Sequence, residues 1–231
     1  MNNSMRINKF LANAGVCSRR QADVLIENKK VKIGDRIAIL GDQVQKSDSV
    51  FVDGKEITQN QKNIYIIFNK PVGIICTTNP EMKDNIVDFI KYPTRVYPIG
   101  RLDVKSEGLI FLTNDGSVVN KMMKGEHKIE KEYLVDVDKT VTDGFLEKQK
   151  RSFLIDSRRT IPAKVEKTGD KSYKIILVEG IKRQIRRMAE KYGYNVVKLK
   201  RVRIGGFELG DLMVGKWHEI PEQEFKEKLG V

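Results

Sequence analysis

The sequence predicts an α+β chain in two parts, a small N-terminal module and a larger domain built around a sheet. Three observations lead there. Two short helical patterns and a few brief β-type runs occupy roughly the first quarter of the 231 residues, enough for a small core only. Thr58-Gln-Asn-Gln-Lys-Asn63 is then short, polar and unpatterned, as a linker is. Beyond it, apolar runs of strand length alternate with helical patterns, and at 40% hydrophobic content the remainder holds one substantial core. The domains are therefore placed at residues 1–60 and 61–231.

Residues 5–14 read as a helix because Ile7, Phe10, Leu11 and Ala14 fall at helical spacing, with Gly15 where a C-terminal cap belongs. Ser18-Arg-Arg-Gln21 has the form of a capping box and opens a second helix through Ala22, Leu25 and Ile26. Val31-Lys-Ile33, Ser49-Val-Phe-Val52 and Ile57 supply short strands, with turns at Gly34-Asp35 and Asp53-Gly54.

In the larger part, residues 64–68 start a new core and lead into Asn69-Lys-Pro-Val-Gly73, a turn. Residues 86–90 suit a short amphipathic helix. Gly108 to Thr113 is a buried strand of Leu109, Ile110, Phe111 and Leu112, closed by the turn Asn114-Asp-Gly116. Ser117 can then cap a helix carrying Val118, Met122 and Met123 as core filling. Residues 131–137 place Tyr133, Val135 and Val137 on one face of a strand. A helix from Phe145 to Phe153 and strands at Val165 and residues 173–178 follow. Residues 181–192 read as one helix with Ile181, Ile185, Met188, Ala189 and Tyr192 as its apolar face, ended by Gly193. In that helix Lys182 would stack on Arg186 and Arg183 on Arg187, a like-charge arrangement that needs an acidic offset. Residues 197–204 and 212–217 complete the sheet, and the Glu- and Lys-rich tail is a surface helix.

Charge narrows the partners. The formal net charge is +12, and between Gly180 and Arg203 nine basic residues face one acid, Glu190, a local net of +8. Such concentration favours nucleic acid as the partner. Cys17 and Cys76 are too few and too distant for a disulfide framework or a Cys-rich zinc site, and His127 and His218 lack spaced partners. No metal is expected. No run reaches transmembrane length and Met1-Asn-Asn-Ser-Met5 has no signal-peptide core, so a soluble cytoplasmic protein with no membrane partner is expected. No phosphate loop or dinucleotide fingerprint is present, so no cofactor is expected.

The chemistry concentrates in Gly100-Arg-Leu-Asp-Val-Lys-Ser-Glu-Gly-Leu109. A cation and a carboxylate two residues apart sit in a loop fixed by Pro98 and Gly100 and held against the buried strand that follows. That is a place where a carboxylate can be positioned accurately. The string resembles the signature of ribosomal RNA pseudouridine synthases of the RsuA/RluB/RluE/RluF type. Asn69-Lys-Pro-Val-Gly73, Lys131-Glu-Tyr133 and Arg183-Gln-Ile-Arg-Arg-Met188 resemble its further motifs. Ile7-Asn-Lys-Phe-Leu11, Cys17-Ser-Arg-Arg-Gln-Ala-Asp23 and Val50-Phe-Val-Asp-Gly54 resemble the S4 RNA-binding domain. Details such as Asp84-Asn-Ile-Val-Asp-Phe89 are most similar to the RluF-like branch, which acts on large-subunit RNA.

The resemblance implies a fold and a site. The fold is a small S4-like domain joined to a catalytic domain on a mixed, largely antiparallel sheet. Asp103 is implied to be catalytic, Tyr133 to stack on the target base, and Arg186 to pair with Asp103. Arg101 is implied to fill the space left by the extruded base. Arg19 and Arg20, at the positive start of their helix, and Lys182, Arg183 and Arg187 in the basic segment are candidates for phosphate contact.

Making pseudouridine breaks the N1–C1′ bond, turns the bound base and rejoins it through C5. The target must first leave its stack, at a cost of a few kcal/mol. Asp103 must be ionised, whether it attacks C1′ or removes the C2′ proton. A guanidinium opposes the protonation that desolvation favours. The expected partner is ribosomal RNA, 23S ahead of 16S, bound by a monomer. Two rival classes differ in one feature each. A non-catalytic S4-type rRNA-binding protein would share the module and the basic segment but not Asp103, Tyr133 and Arg186 together. An S4-linked methyltransferase would need a glycine-rich nucleotide turn, which the chain lacks.

Overall fold

A computed structural model describes residues 4–59, 62–123 and 129–231, the Met123 side chain excepted. His127 and the first three residues of the N-terminal stretch discussed above therefore lie outside the described residues. The chain divides into two compact units, one ending at Asn63 and the other starting at Ile64.

The first unit runs β1 (Met5–Arg6), α1 (Ile7–Asn13), α2 (Arg19–Glu27), β2 (Val31–Ile33), β3 (Arg36–Ile37), β4 (Gln43–Val44), β5 (Val50–Val52) and β6 (Lys55–Ile57). The first helix is shorter than its periodicity predicts, because Met5 and Arg6 pair with β4 instead of joining it. Gly15, at φ +77°, ends the helix as predicted, with the Val16 N–H donating back to the Leu11 carbonyl. Both halves of the capping box form at α2: the Ser18 hydroxyl accepts from the Gln21 N–H, and the Gln21 side chain accepts from the Ser18 N–H. Ser18→Ala is accordingly expected to cost about 1 kcal/mol locally, read as faster hydrogen exchange of the α2 amides. The order β3-β2-β5-β6 makes a small antiparallel sheet, with Gly34-Asp35 as its first hairpin. Ile7, Leu11, Ala22, Ile26, Val31 and Val50 form the unit's own core.

The second unit contains β7 (Tyr65–Lys70), α3 (Ile86–Ile90), β8 (Tyr97–Ile99), β9 (Glu107–Thr113), α4 (Gly116–Met123), β10 (Lys131–Val137), α5 (Asp143–Gln149), β11 (Leu154–Ile155) and β12 (Arg158–Arg159). It continues with β13 (Lys164–Gly169), β14 (Ser172–Leu177), α6 (Gln184–Glu190), β15 (Val196–Ile204), β16 (Phe207–Glu208), β17 (Trp217–Glu219) and α7 (Glu222–Leu229). Among the described residues nine strands form one sheet, with the main order β13-β14-β10-β15-β9-β7-β17. The β9–β15 pair is parallel and its other pairings are antiparallel, so the sheet is mixed and largely antiparallel.

The unbroken apolar runs of β7 and β9 are explained by burial on both faces. Ile66, Phe68, Ile110 and Leu112 face a core shared with α3, α5 and α6. Tyr65, Ile67, Leu109 and Phe111 face a second core that includes Val118 of α4 and Phe225 and Leu229 of α7. The tail helix is therefore packed on its apolar side, not merely a surface helix. Among the described residues no helix is long and apolar enough to cross a membrane.

Several boundaries differ from the sequence reading. The cap of α4 is Asp115, whose carboxylate accepts from both the N–H and the hydroxyl of Ser117, leaving Ser117 inside the helix. The helix from Phe145 stops at Gln149, and Phe153 lies beyond it. Gln149 is buried with its amide donating to the Met188 carbonyl, and the chain turns into the unpredicted β11–β12 hairpin. The predicted edge strand at residues 212–217 forms only at its last residue, where β17 begins against β7. The helix read from Ile181 starts at Gln184, because Arg183 sits at φ +55° and the Gln184 side chain caps the Ile181 N–H. The stacking of Lys182 on Arg186 and of Arg183 on Arg187 along one helix is thereby removed.

Candidate active site

A cavity of about 410 Å³ opens over the middle of the larger sheet. Arg101, Asp103, Tyr133, Lys182 and Arg183, all singled out from sequence, line it, together with Arg158, Glu179 and Arg201. Arg19 and Arg20 belong to the N-terminal unit, where they are exposed on the first turn of α2.

The Asp103 loop joins β8 to β9. Local sequence fixes its alternation: Arg101 is exposed, Leu102 enters the core and Asp103 is half-buried at the cavity. Neighbouring segments pin the loop. The Gly73 N–H donates to the Val104 carbonyl at 2.8 Å, the Leu102 N–H approaches the Cys76 sulfur at 3.4 Å, and the Ser106 N–H donates to the Asp103 carbonyl at 2.9 Å. A carboxylate on so constrained a backbone keeps its orientation without a partner of its own.

The Arg186–Asp103 pairing implied by the family resemblance is not formed as a direct contact. Arg186 is 5% exposed, and its terminal nitrogens donate to the Val196 and Lys105 carbonyls, both at 2.8 Å. Its Nη2 also lies 3.5 Å from the Ser106 hydroxyl. Arg186 thus holds the end of the Asp103 loop through its backbone and adds positive potential behind it. Burial lowers the pKa of this guanidinium, Arg183 adds to the fall, and Asp103 opposes it.

Arg187 does not line the cavity. Its guanidinium grips Asp156 with two bonds of 2.7 Å, tying α6 to the β11–β12 hairpin. Arg183 pairs with Glu190 at 2.9 Å. The acidic offset expected for the basic helix is therefore partly supplied from within the chain. Glu179 accepts from the Gln184 amide and the Ile161 N–H, both at 2.9 Å, and lies 3.7 Å from Arg158.

Tyr133 stands in β10, buried at 8% exposure at the cavity wall, as the alternation of residues 131–137 predicts. Two buried cations were not singled out from sequence. Lys70 is fully buried at the end of β7, which continues through Asn69 and Lys70 where a turn is predicted. Its ammonium donates to the Pro71 and Ile74 carbonyls at 2.8 Å. Burial lowers its pKa, while Cys76 and Asp103 oppose that fall. Arg201 is 3% exposed in β15. A period-two reading of residues 197–204 would have found it, since Arg201 shares a strand face with buried Leu199.

Among the described residues no group of three or more His, Cys, Asp or Glu side chains is placed to hold a metal ion. What the cavity offers is an accurately held carboxylate, an aromatic face and surrounding cations, with further cations at its rim. That set suits a flat, electron-rich ring carried on an anionic chain.

Comparison with known proteins gives this arrangement a context. Residues 64–191 match the RNA pseudouridylate synthase family, and residues 5–50 match the S4 domain. The chain is 44% identical over 223 residues to the dual-specificity RNA pseudouridine synthase RluF of Escherichia coli (strain K12), covering 96% of this chain and 77% of that protein. It is 36% identical over 230 residues to the ribosomal large subunit pseudouridine synthase B of Bacillus subtilis (strain 168), covering 96% and 94%. The crystal structure of a pseudouridylate synthase matches with a TM-score of 0.70 at 30% identity, covering 97% of this chain and 99% of the other.

Proposed function

The chain belongs to the RNA pseudouridylate synthase family and is an RNA pseudouridine synthase, and we propose that it isomerises a uridine of large-subunit ribosomal RNA with Asp103 acting at the sugar. The observation that carries the assignment of Asp103 is its half-buried carboxylate in the cavity, on a loop pinned from the Gly73–Cys76 segment and from Arg186.

Uridine leaves its stack and enters the cavity, where the Tyr133 ring takes one face of the base. Arg101, exposed at the mouth, fills the space left behind in the RNA. Asp103 then acts at the ribose while the base is detached, turned and rejoined through C5. Lys70 and Arg186 keep positive potential on the carboxylate's inner side. Lys182 and Arg183 meet the flanking phosphates. Arg187 acts indirectly, by holding the hairpin that carries Arg158 to the rim.

Residues 1–60 serve as a separate RNA grip and residues 61–231 as the catalytic part on this reading. Arg19 and Arg20 have no acidic residue beside them in the first turn of α2, which leaves them available to phosphate. Replacing both by alanine is expected to weaken rRNA binding and to lower the slope of log affinity against log salt by roughly 1.5, about 0.7–0.9 for each phosphate contact. An unchanged slope would show that α2 is not a phosphate grip.

The function itself is tested by mass mapping of rRNA pseudouridines with and without this gene. Loss of one or a few 23S positions is expected. An identical map in the two strains would overturn the rRNA assignment.

A further inference from the structure

Arg201 has no part in the reaction as described above, yet it lines the same cavity. Its Nε donates to the Leu109 carbonyl at 2.6 Å. Its Nη2 is sealed from solvent with no acceptor among the described residues, and Nη1 makes no hydrogen bond to them either. A buried guanidinium left with idle donors is costly, and arginine cannot relieve the cost by losing its proton. The other two buried cations are held more fully, although the Arg186 Nε is likewise buried without a partner among the described residues. Lys70 and the terminal nitrogens of Arg186 are engaged by backbone carbonyls.

Position gives these free donors a meaning. Arg201 is the cross-strand partner of Tyr133 in the β10–β15 ladder, and its guanidinium carbon lies 6.0 Å from the centre of the Tyr133 ring. A pyrimidine against that ring would lie beside a cation with free donors and no carboxylate bound to it. In the sheet Arg201 pairs with Tyr133 on one side and with Gly108 on the other, beside a register shift in the β10–β15 ladder between Glu132 and Tyr133.

We propose that Arg201 is a catalytic residue, hydrogen-bonding a carbonyl oxygen of the bound uracil and stabilising the negative charge that the base carries while detached from the sugar. This rests on the reading of the cavity as a uridine site. When the N1–C1′ bond breaks, its electron pair stays on N1 and spreads onto O2 and O4. The sugar is completed by the Asp103 carboxylate bonding to C1′, or by Asp103 taking the C2′ proton while a C1′=C2′ double bond forms. By either route the charge that began on Asp103 resides on the base. Bonding of C5 to C1′ returns it: the carboxylate leaves C1′, or the proton goes back to C2′. The C5 proton is then lost and N1 gains one. A donor at O2 or O4 is therefore strongest in the detached state, which is where it accelerates the reaction.

The test uses the full-length enzyme in single-turnover reactions on an RNA whose target uridine, once mapped, is replaced by 2-thiouridine or 4-thiouridine. Sulfur is a poorer acceptor, and a thione does not make the base a worse leaving group, so slowing reports a lost contact. One of the two substitutions is expected to slow the parent roughly tenfold, the loss of one charge-assisted hydrogen bond. Arg201→Gln is expected to be slower on ordinary uridine by about tenfold or more and to lose that sulfur effect. Equal parent rates on uridine and both thio-substrates would overturn the proposal without any variant, which covers the case of a glutamine variant that does not fold. A sulfur effect undiminished in a folded Arg201→Gln would overturn it too. If the parent forms no pseudouridine in the unsubstituted RNA, the uridine-site reading fails first and carries the Arg201 role with it.

Discussion

Asp103→Asn is expected to abolish pseudouridine formation, lowering the single-turnover rate on the order of a thousandfold or more, while stability and RNA affinity stay close to those of the parent. The two halves of this expectation have separate causes. The side chain of Asp103 makes no hydrogen bond or ion pair with the described residues, and the loop is held instead through the Asp103 carbonyl, the Leu102 N–H and the Val104 carbonyl. An amide of the same shape disturbs none of those bonds, so the fold should change by less than about 0.5 kcal/mol. Neither route to breaking the N1–C1′ bond is open to an amide, which is a poor nucleophile and a poor base. Release of the C5 proton from rRNA measures turnover, and filter binding measures affinity. Turnover within tenfold of the parent would remove Asp103 from the reaction. A collapse of affinity would mean that the carboxylate helps seat the RNA.

The strands of this protein were legible because burial writes them plainly. β9 and β10 were found from an unbroken apolar run and from period-two alternation, which report burial on both faces and on one. The Ser18 capping box was legible for a similar reason, since both its bonds are local. The misses lie where a distant partner decides the outcome. α6 starts three residues late because Arg183 adopts a left-handed conformation and Gln184 turns back to Ile181 and Glu179, choices that no periodicity encodes. The burial of Lys70, in a motif that reads as a turn, and of Arg201, in a basic segment, is not legible because a charged side chain is ordinarily solvated. Their burial depends on strands brought together from far apart in sequence. The motif residues that line the cavity could be named from sequence. What Arg186 and Arg187 touch could not, because the Lys105 carbonyl and Asp156 reach them only through the tertiary fold.

Gly108→Ala is expected to destabilise the larger unit on the order of 3–5 kcal/mol, well above the usual range for an added methyl group. Gly108 lies in β9 with φ at +111°, a conformation that side chains resist. It is also the point of pairing with Arg201 in the parallel β9–β15 ladder. A Cβ placed there would come within 2.2 Å of the Arg201 carbonyl oxygen and 2.7 Å of its nitrogen, atoms of a backbone that cannot swing aside. The strands would have to separate at the residue next to Leu109, whose carbonyl holds the Arg201 guanidinium. Asp103 lies five residues upstream on the loop that leads into β9, so activity should fall together with stability. Gly144 provides the contrast, because a Cβ added there meets nothing within 4 Å in helix α5. Gly144→Ala should be neutral or stabilise by up to about 1 kcal/mol. Urea unfolding of both variants, followed through Trp217 in the larger unit, gives the two values side by side. A Gly108→Ala midpoint within 1 kcal/mol of the parent's stability, about a third of the smallest loss expected, would mean that β9 and β15 yield there, and that their spacing does not fix the floor of the site.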